Sequence, residues 1–386
     1  MNPKQTTPVI PVNEPLLGGH EREYVTECLE TGWISSEGKY IQEFEQRWAA
    51  YCGMNYGVAV SSGTAALQTA LACLQLRPGD EVILPTFTII SCATAILEAG
   101  AVPVLVDCDP RTWCMDVKQV EAKVNFRTKA LLPVHIYGHP VDMDPIQELA
   151  RKHQLIVVED AAEAHGAEYK GRKVGGIGDL SCFSFYANKI ITTGEGGMVL
   201  AKRKEHADRL RSLRNLCFRE DRRFYHTEIG HNYRLTNLQA AMGVAQVERI
   251  EKHVAQKRWM AAAYQERLQN IPGLQLPVEE SWARNVYWMY GVVLDDSGKM
   301  DAVAFARQLK EKRVETRPFF VGMHQQPVFQ KMGLFKGEHY PVSERISQQG
   351  LYLPSGLTLT ESQIDQVCET ISQILKTSNP IGGSQR

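Results

Sequence analysis

The chain lacks an excess of charge of either sign. Its 43 lysines and arginines offset 44 aspartates and glutamates, which leaves a formal net charge of -1 over 386 residues. A neutral chain has no electrostatic footprint for nucleic acid or for an anionic membrane surface. No basic helix-turn-helix segment precedes residue 20 either. We therefore expect no nucleic-acid partner.

Long hydrophobic runs are also missing. The longest apolar stretch, residues 88–107, is interrupted by Glu98 and Gly100, whereas a membrane-spanning helix needs roughly 20 apolar residues in succession. The first 20 residues contain no apolar core of the kind that marks a signal peptide. We expect no membrane association.

Cysteine pairs at close spacing are absent. The nine cysteines form no C-x-x-C motif, their number is odd, and Cys73, Cys92 and Cys182 lie in apolar segments. This pattern favours buried free thiols in a reducing compartment over a disulfide framework. A cytoplasmic location is the expectation.

What the chain does contain is an alternation of strand-like and helix-like segments between about residues 20 and 200. EVILPT, VPVLVD and LIVVED read as short buried strands separated by amphipathic helical stretches. Such alternation predicts an α/β fold with a mostly parallel central sheet flanked by helices. Ligands of open α/β sheets bind beyond the carboxyl ends of the strands, so candidate site residues are sought there.

The pattern changes after residue 235. A long helical stretch, either two helices or one that leaves the first domain, comes first. It is followed by NVYWMYGVVLD (strand), DAVAFARQLKEKR (helix) and VETRPFF (strand). We predict a large α/β domain over residues 1–250 and a smaller α+β domain over residues 251–386, with the first 15 or so residues packing on the small domain. The tail TSNPIGGSQR is polar and is expected to be disordered.

Two features of the large domain suit an anionic, ring-containing ligand. Asp160 ends the strand LIVVED, where its carboxylate either caps a loop or holds a cationic ring nitrogen. SSGTAAL begins a helix after a strand, and free N–H groups at a helix start beside Ser62, Gly63 and Thr64 suit a phosphate. A simple N-cap by Ser62 or Thr64 explains the second feature equally well.

A lysine completes the pattern. Lys189 lies among small residues in SFYANKIITTGEGG, where it is either a solvated loop lysine or an amine that forms a Schiff base. A phosphate-suited helix start, the strand-end Asp160 and a downstream lysine preceded by Ser184 are together the parts that a pyridoxal phosphate site requires. We therefore predict this cofactor, with Lys189 bonding its aldehyde and Asp160 keeping its ring nitrogen protonated.

A metal site is not expected. His135 and His139 in HIYGH have Asp142 and Asp144 nearby, but Gly138 and Pro140 make the segment a loop rather than one helical face. A structural or substrate-side role for these histidines is the preferred interpretation.

The motifs also resemble a known family. GTAAL, VVEDAAEAHG, SFYANKIITTGEGG and GHNYRLTNLQAA are similar to the DegT-type sugar-nucleotide aminotransferases, which are fold-type I pyridoxal phosphate enzymes. The resemblance implies that Lys189 and Asp160 are catalytic and that Ser62, Gly63, Thr64 and Ser184 bind the phosphate. It also implies a homodimer with shared active sites, in which Asn232 reaches the phosphate bound by the neighbouring subunit.

Further residues are assigned by the same resemblance. Glu163 falls near the cofactor's phenolic oxygen, and Trp33, Arg317 and His324 fall where relatives approach the sugar nucleotide. Ile89 departs from the family pattern, because many relatives have an aromatic residue there to stack on the cofactor ring. Either the stack is aliphatic here or Phe87 substitutes for it.

The implied reaction is transfer of an amino group from glutamate to the C4 keto group of a nucleotide-linked 4-keto-6-deoxy sugar. The nucleotide (GDP, dTDP or UDP) and the alternative of C3 amination stay open. By the same resemblance, relatives that dehydrate the sugar have histidine at this position, so Lys189 argues against dehydration. A non-catalytic regulatory protein would not need Lys189 and Asp160, and both are present.

Overall fold

The computed structural model describes residues 8–295 and 300–378. The last eight residues of the tail predicted to be disordered lie outside that range. The strands are β1 Tyr56–Val60, β2 Glu81–Pro85, β3 Val102–Val106, β4 Thr128–Leu131, β5 Ile156–Asp160, β6 Glu168–Tyr169, β7 Arg172–Lys173, β8 Leu180–Ser184, β9 Gly197–Ala201, β10 Leu274–Gln275, β11 Ala283–Arg284, β12 Gly291–Leu294, β13 Arg317–Pro318 and β14 Gly350–Tyr352.

The helices are distributed along the whole described chain. They are α1 Glu21–Thr31, α2 Lys39–Cys52, α3 Gly63–Cys73, α4 Ser91–Glu98, α5 Val117–Lys123, α6 Met143–His153, α7 Lys204–Arg214, α8 Asn237–Val247, α9 Ile250–Leu268, α10 Ala302–Glu311, α11 Pro327–Lys331, α12 Pro341–Gln349 and α13 Glu361–Ser378. Short 3₁₀ turns occur at Ile136–Gly138 and Met323–Gln325.

The central sheet has seven strands in the order β1-β9-β8-β5-β4-β2-β3. Strands β3, β2, β4, β5 and β8 pair in parallel, and only β9 pairs antiparallel with its neighbours β8 and β1. Strands β2, β8 and β9 are buried along their whole length, because helices cover both faces. The predicted α/β class with a mostly parallel sheet is confirmed.

Two adjacent strands end at the predicted site. Asp160 is the last residue of β5 and pairs with Cys182 of β8, which itself ends at Ser184. Because successive side chains of a strand point to opposite faces, Glu159 turns away from Asp160. It is fully buried and accepts N–H bonds from Gly175, Ile177 and Gly178, so it holds the loop before β8 against β5.

The apolar side chains form two clusters. The larger surrounds the seven-stranded sheet and includes Phe44, Trp48 and Phe183, and the smaller lies between α9, α10, α13 and the sheet β10-β12-β14-β13. Helix α9 contributes Ile250 and Val254 to the first cluster and Met260, Tyr264 and Leu268 to the second. This helix therefore joins the two halves of the molecule, and the domain boundary near residue 250 stays a prediction.

The N-terminal segment meets the C-terminal half. Ile10 belongs to the smaller cluster, and its backbone pairs in parallel with Val314. The Ile10 N–H donates to the Arg313 carbonyl and the Glu315 N–H donates to the Ile10 carbonyl. These contacts tie the start of the described chain to the segment between α10 and β13.

All nine cysteines are free and buried, as the sequence predicted. Within the described ranges, no helix combines the length and the apolar character needed to cross a bilayer.

Candidate active site

A cavity of about 390 Å³ lies at the carboxyl ends of β5 and β8. Its volume falls in the range of small-molecule sites. Eight of the residues singled out from the sequence line it together: Ser62, Gly63, Thr64, Ile89, Asp160, Glu163, Ser184 and Lys189. The chain therefore brings the predicted phosphate, ring and aldehyde contacts into one place.

Lys189 enters the cavity from a tight turn after β8. Its backbone N–H donates to the Tyr186 carbonyl at 2.9 Å, and its side chain is 10% exposed. The amine Nζ lies 3.7 Å from the centroid of the Trp288 ring and 3.9 Å from Glu163 Oε1. Burial lowers the pKa of Lys189, against the opposing charges of Glu163 and Asp160. A lysine with a lowered pKa carries more of the neutral amine that attacks an aldehyde.

Glu163 lies beside this lysine in the cavity, and its pKa shifts in the opposite direction. Burial raises the pKa of Glu163 to about 7, although the neighbouring Lys189 charge opposes the shift. Its Oε2 accepts the backbone N–H of Tyr137 at 2.8 Å, which leaves Oε1 facing the amine. Paired shifts of opposite sign in one cavity are typical of acid–base chemistry.

Asp160 is buried and oriented by two donors. Its Oδ1 accepts the backbone N–H of Ala162 at 3.0 Å, and the Cys92 thiol donates to its Oδ2 at 3.1 Å. Burial raises the pKa of Cys92 well above the ordinary range, so this thiol keeps its proton. Both donors hold the carboxylate in place at the cavity, where it can accept an N–H from a bound ring.

The start of α3 forms the opposite end of the cavity. Ser62 is the N-cap and accepts the Ala65 N–H at 3.1 Å, so the capping interpretation of this serine is correct. The N–H groups of Gly63 and Thr64 belong to the first turn, where the helix provides no acceptor. A Cβ on Gly63 would lie 2.7 Å from Ser184 Cβ, so glycine lets the helix start and Ser184 form one cradle.

The glycine-rich loop after Lys189 serves close packing. A Cβ on Gly197 would lie 2.1 Å from the Ser62 carbonyl oxygen, and Gly194 has a φ of +82° that disfavours other residues. The glycines thus bring β9 against the start of α3.

Ile89 provides the aliphatic wall that the sequence indicated. It lines the cavity with its side chain 42% exposed. Phe87 is fully buried against Tyr137, Phe319 and Phe320 and is not among the lining residues. Within this segment Ile89, and not Phe87, faces the cavity, and its contact with the cofactor ring stays a prediction.

Four predicted residues lie elsewhere. Asn232 is exposed, and Trp33 lines a separate cavity of about 1020 Å³. Arg317 lines a cavity of about 280 Å³, which shares Tyr186 and Asn188 with the cavity that contains Lys189. His324 is 4% exposed, and its ring nitrogens contact Thr86 Oγ1 at 2.8 Å and Glu344 Oε1 at 3.0 Å. These four assignments stay predictions.

Trp288 and Asn188 are among the lining residues that were not singled out from the sequence. The Trp288 ring covers Lys189, and its Nε1–H donates to the Asn188 carbonyl at 2.7 Å. The side-chain oxygen of Asn188 is buried without a hydrogen-bond partner. Trp288 lies about 100 residues from Lys189, so no local pattern links them. An unpartnered buried oxygen in a cavity is a position that a ligand donor would satisfy.

The arrangement fits pyridoxal phosphate. A helix start and Ser184 suit the phosphate, Asp160 suits a protonated ring nitrogen, and Lys189 lies within reach of an aldehyde. The fold and site thus define the class of pyridoxal phosphate-dependent aminotransferases. The sequence pattern of the DegT/DnrJ/EryC1/StrS aminotransferase family matches residues 15–372, and the chain belongs to that family. The predicted family, enzyme class and cofactor are confirmed.

Characterised relatives are similar over nearly the whole chain. GDP-perosamine synthase of Caulobacter vibrioides is 43% identical over 369 residues, which are 95% of this chain and 99% of the relative. GDP-perosamine synthase of Escherichia coli O157:H7 is 41% identical, covering 94% of this chain and 98% of the relative. Among solved structures, DesV of S. venezuelae is 33% identical with a TM-score of 0.88, covering 96% of this chain and 99% of that chain.

Proposed function

We propose that the chain transfers an amino group to the C4 keto group of a GDP-linked 4-keto-6-deoxy sugar, giving GDP-perosamine. Glutamate is the proposed donor. The observation that carries this proposal is the 38–43% identity to three GDP-perosamine synthases over at least 94% of this chain. The product would be a sugar donor for O-antigen or another surface glycan.

The proposed roles follow from the cavity. When bound, pyridoxal phosphate supplies an aldehyde for amines and a ring that accepts electrons from the adjacent C–H bond. Lys189 would hold the aldehyde carbon and, once released, would move the proton between the substrate carbon and the carbon that Lys189 had held. Asp160 would accept the ring N–H, and the N–H groups of Gly63 and Thr64 with the Ser184 hydroxyl would bind the phosphate. Trp288 and Ile89 would exclude water.

Glu163 would hold a proton beside the ring hydroxyl. Its pKa is raised to about 7, so both of its forms are populated near neutrality. The 3.9 Å separation from Lys189 Nζ lets its charge respond when the amine gains or loses a proton.

A second substrate class has support of its own. The UDP-N-acetyl-3-dehydro-alpha-D-glucosamine 3-aminotransferase of Acidithiobacillus ferrooxidans is 37% identical over 340 residues. C3 amination of a UDP-linked sugar is therefore the alternative. Sugar dehydration is disfavoured because position 189 is lysine, and a purely regulatory role is disfavoured because Lys189 and Asp160 are both retained.

A substrate panel tests the proposal. The enzyme is incubated with glutamate and with GDP-, dTDP- and UDP-linked keto sugars, and products are identified by mass spectrometry and NMR. We expect the GDP-linked 4-keto-6-deoxy sugar to give a 4-amino sugar at a kcat/KM at least about tenfold above the others, a difference of about 1.4 kcal/mol. Absence of any amino sugar from the GDP-linked ketone would retire the proposal.

The proposed assembly is a homodimer whose sites combine residues of both subunits. Asn232 is exposed and outside the cavity of its own chain. Its segment also exposes Phe224, Tyr225 and Ile229 beside Arg222. Contiguous exposed apolar side chains of this kind mark an interaction surface, and a second copy would cover them while Asn232 reaches the partner's phosphate.

Hybrid dimers give a direct test of this sharing. Asn232→Asp places a negative charge against the phosphate and is expected to lower activity at least about tenfold, because like charges in contact cost several kcal/mol. Lys189→Ala is expected to be inactive. Refolding the two variants together at equal amounts should restore about a quarter of wild-type activity, since half of the dimers are mixed and each has one intact site. If each chain uses its own Asn232, mixing restores nothing.

The proposed location is the cytoplasm. Nine free, buried thiols fit a compartment that keeps cysteines reduced.

A further inference from the structure

A fully buried lysine lies away from the proposed chemistry. Lys257 on α9 is 1% exposed, yet it carries one of the largest buried side chains of the molecule. Its Nζ donates to the Trp288 carbonyl at 2.9 Å and also to the Ser355 carbonyl. Both acceptors are neutral backbone groups. Burying an amine is costly unless its hydrogen bonds are made, so this one needs a structural or functional reason.

The two acceptors belong to segments that meet at the cavity. Ser355 also bonds the residue that precedes β12, since its hydroxyl accepts the Tyr290 N–H at 2.9 Å. The Ser355 N–H donates to the Val12 carbonyl at 2.7 Å. Trp288 is the residue whose ring lies 3.7 Å from Lys189 Nζ. Lys257 therefore holds the backbone of the residue whose side chain covers the lysine of the site.

The surroundings of Lys189 show what that cover does. The main cause of its lowered pKa is burial, and the charges that oppose the shift are those of Glu163 and Asp160. His165 also faces it, but burial lowers the pKa of His165 to about 3, so this ring stays neutral. Lys257 is not among the charges that act on Lys189. The direct route from Lys257 to the surroundings of Lys189 is its hydrogen bond to the Trp288 carbonyl.

We propose that Lys257 is a positioning residue, which fixes Trp288 so that the indole keeps water from the Lys189 amine. Burial lowers the pKa of Lys257 to about 7, and either protonation state retains at least two N–H donors for the two carbonyls. The two hydrogen bonds of Lys257 are therefore retained on both sides of neutral pH. The inference rests on the proposed role of Lys189, but its test measures the amine itself and not turnover.

The test is competitive acylation of the full-length chain after removal of the cofactor. Trace acetic anhydride is applied between about pH 6 and pH 10, and the Lys189 peptide is quantified by mass spectrometry, so that the midpoint of its pH profile reports the pKa of Lys189. In Lys257→Met we expect this midpoint to rise by about half a unit as water reaches the amine. Lys257→Arg keeps the hydrogen-bond donors, so its midpoint should lie closer to the wild-type value than that of Lys257→Met.

Tyr264→Phe is the matched control. Tyr264 lies on the same helix and donates to the Pro354 carbonyl at 2.9 Å, next to Ser355, whereas Lys257 donates to Trp288 itself. It should lose comparable stability and leave the Lys189 midpoint unchanged. Equal shifts in Lys257→Met and Tyr264→Phe would mean general loosening and would overturn the proposal.

Trp288→Leu completes a double-mutant cycle. It should raise the Lys189 midpoint by itself, because burial is the main cause of the lowered pKa and outweighs the attraction of the indole face for the ammonium. Lys257→Met should add nothing in its background. If Lys257→Met does not fold, Trp288→Leu still decides, because an unchanged midpoint in that variant contradicts the proposal. If the midpoints of the variants change as expected but Lys189 does not bond the cofactor, the result counts against the proposed function and not against the role of Lys257.

Discussion

Replacing Lys189 by alanine is expected to lower kcat by about 10³-fold or more, because the variant loses both the amine that bonds the cofactor and the group that moves the proton. The cofactor should still bind through the start of α3, Ser184 and Asp160, which do not depend on the amine. The measurement is steady-state turnover together with the absorbance of the bound cofactor, whose covalent form should be absent.

Lys202→Ala is the control for this substitution. Lys202 is a partly buried lysine of the same domain that donates to the Ile177 carbonyl at 2.5 Å and does not line the cavity. Its replacement should leave turnover within about twofold of wild type, since it touches no reacting group. Turnover in Lys189→Ala comparable to that of the control would exclude Lys189 from the chemistry.

Asp160→Asn is expected to lower kcat by about 10²- to 10³-fold, with a smaller effect on cofactor binding. A neutral amide cannot stabilise a protonated ring nitrogen, and removal of one preorganised electrostatic partner typically costs that much. The substitution preserves shape, so Ala162 and Cys92 keep a neighbour of the same size. Single-turnover rates with glutamate would measure the effect on the first half of the reaction.

Asp142→Asn provides the comparison. Asp142 follows the HIYGH loop and accepts the Tyr169 hydroxyl at 2.7 Å, outside the cavity. Its replacement should cost stability but leave the single-turnover rate nearly unchanged. A rate for Asp160→Asn within about threefold of wild type would contradict the assigned role, because a lost charge partner at the reacting ring is worth more than that.

Most of the site could be predicted because its residues follow local signals. Asp160 and Ser184 end buried strands, and Gly63 follows a strand and begins a helix, so their convergence follows from the parallel sheet. Lys189 could be assigned only together with these residues, because a single lysine in a loop does not by itself indicate a cofactor site. Family membership then placed Glu163, which the structure brings 3.9 Å from the lysine amine.

The remainder depends on long-range packing, which local patterns do not encode. Trp288 reaches Lys189 from a segment beyond α9, and Lys257 reads as an ordinary helical lysine until its burial is seen. The pattern around α9 predicted either two helices or one that leaves the first domain, and the packing of α9 into both apolar clusters is seen only in the structure. His324 was assigned to the substrate by resemblance, whereas in the structure its two ring nitrogens contact Thr86 and Glu344.

The central claim is that Lys189 bonds the cofactor covalently. Treatment of the purified holoenzyme with borohydride fixes such a bond, and digestion with mass spectrometry then locates it among the lysines. The account predicts a phosphopyridoxyl group on the peptide that contains Lys189, with loss of that group when glutamate is added before reduction. A phosphopyridoxyl group on another lysine, or on none, would contradict it.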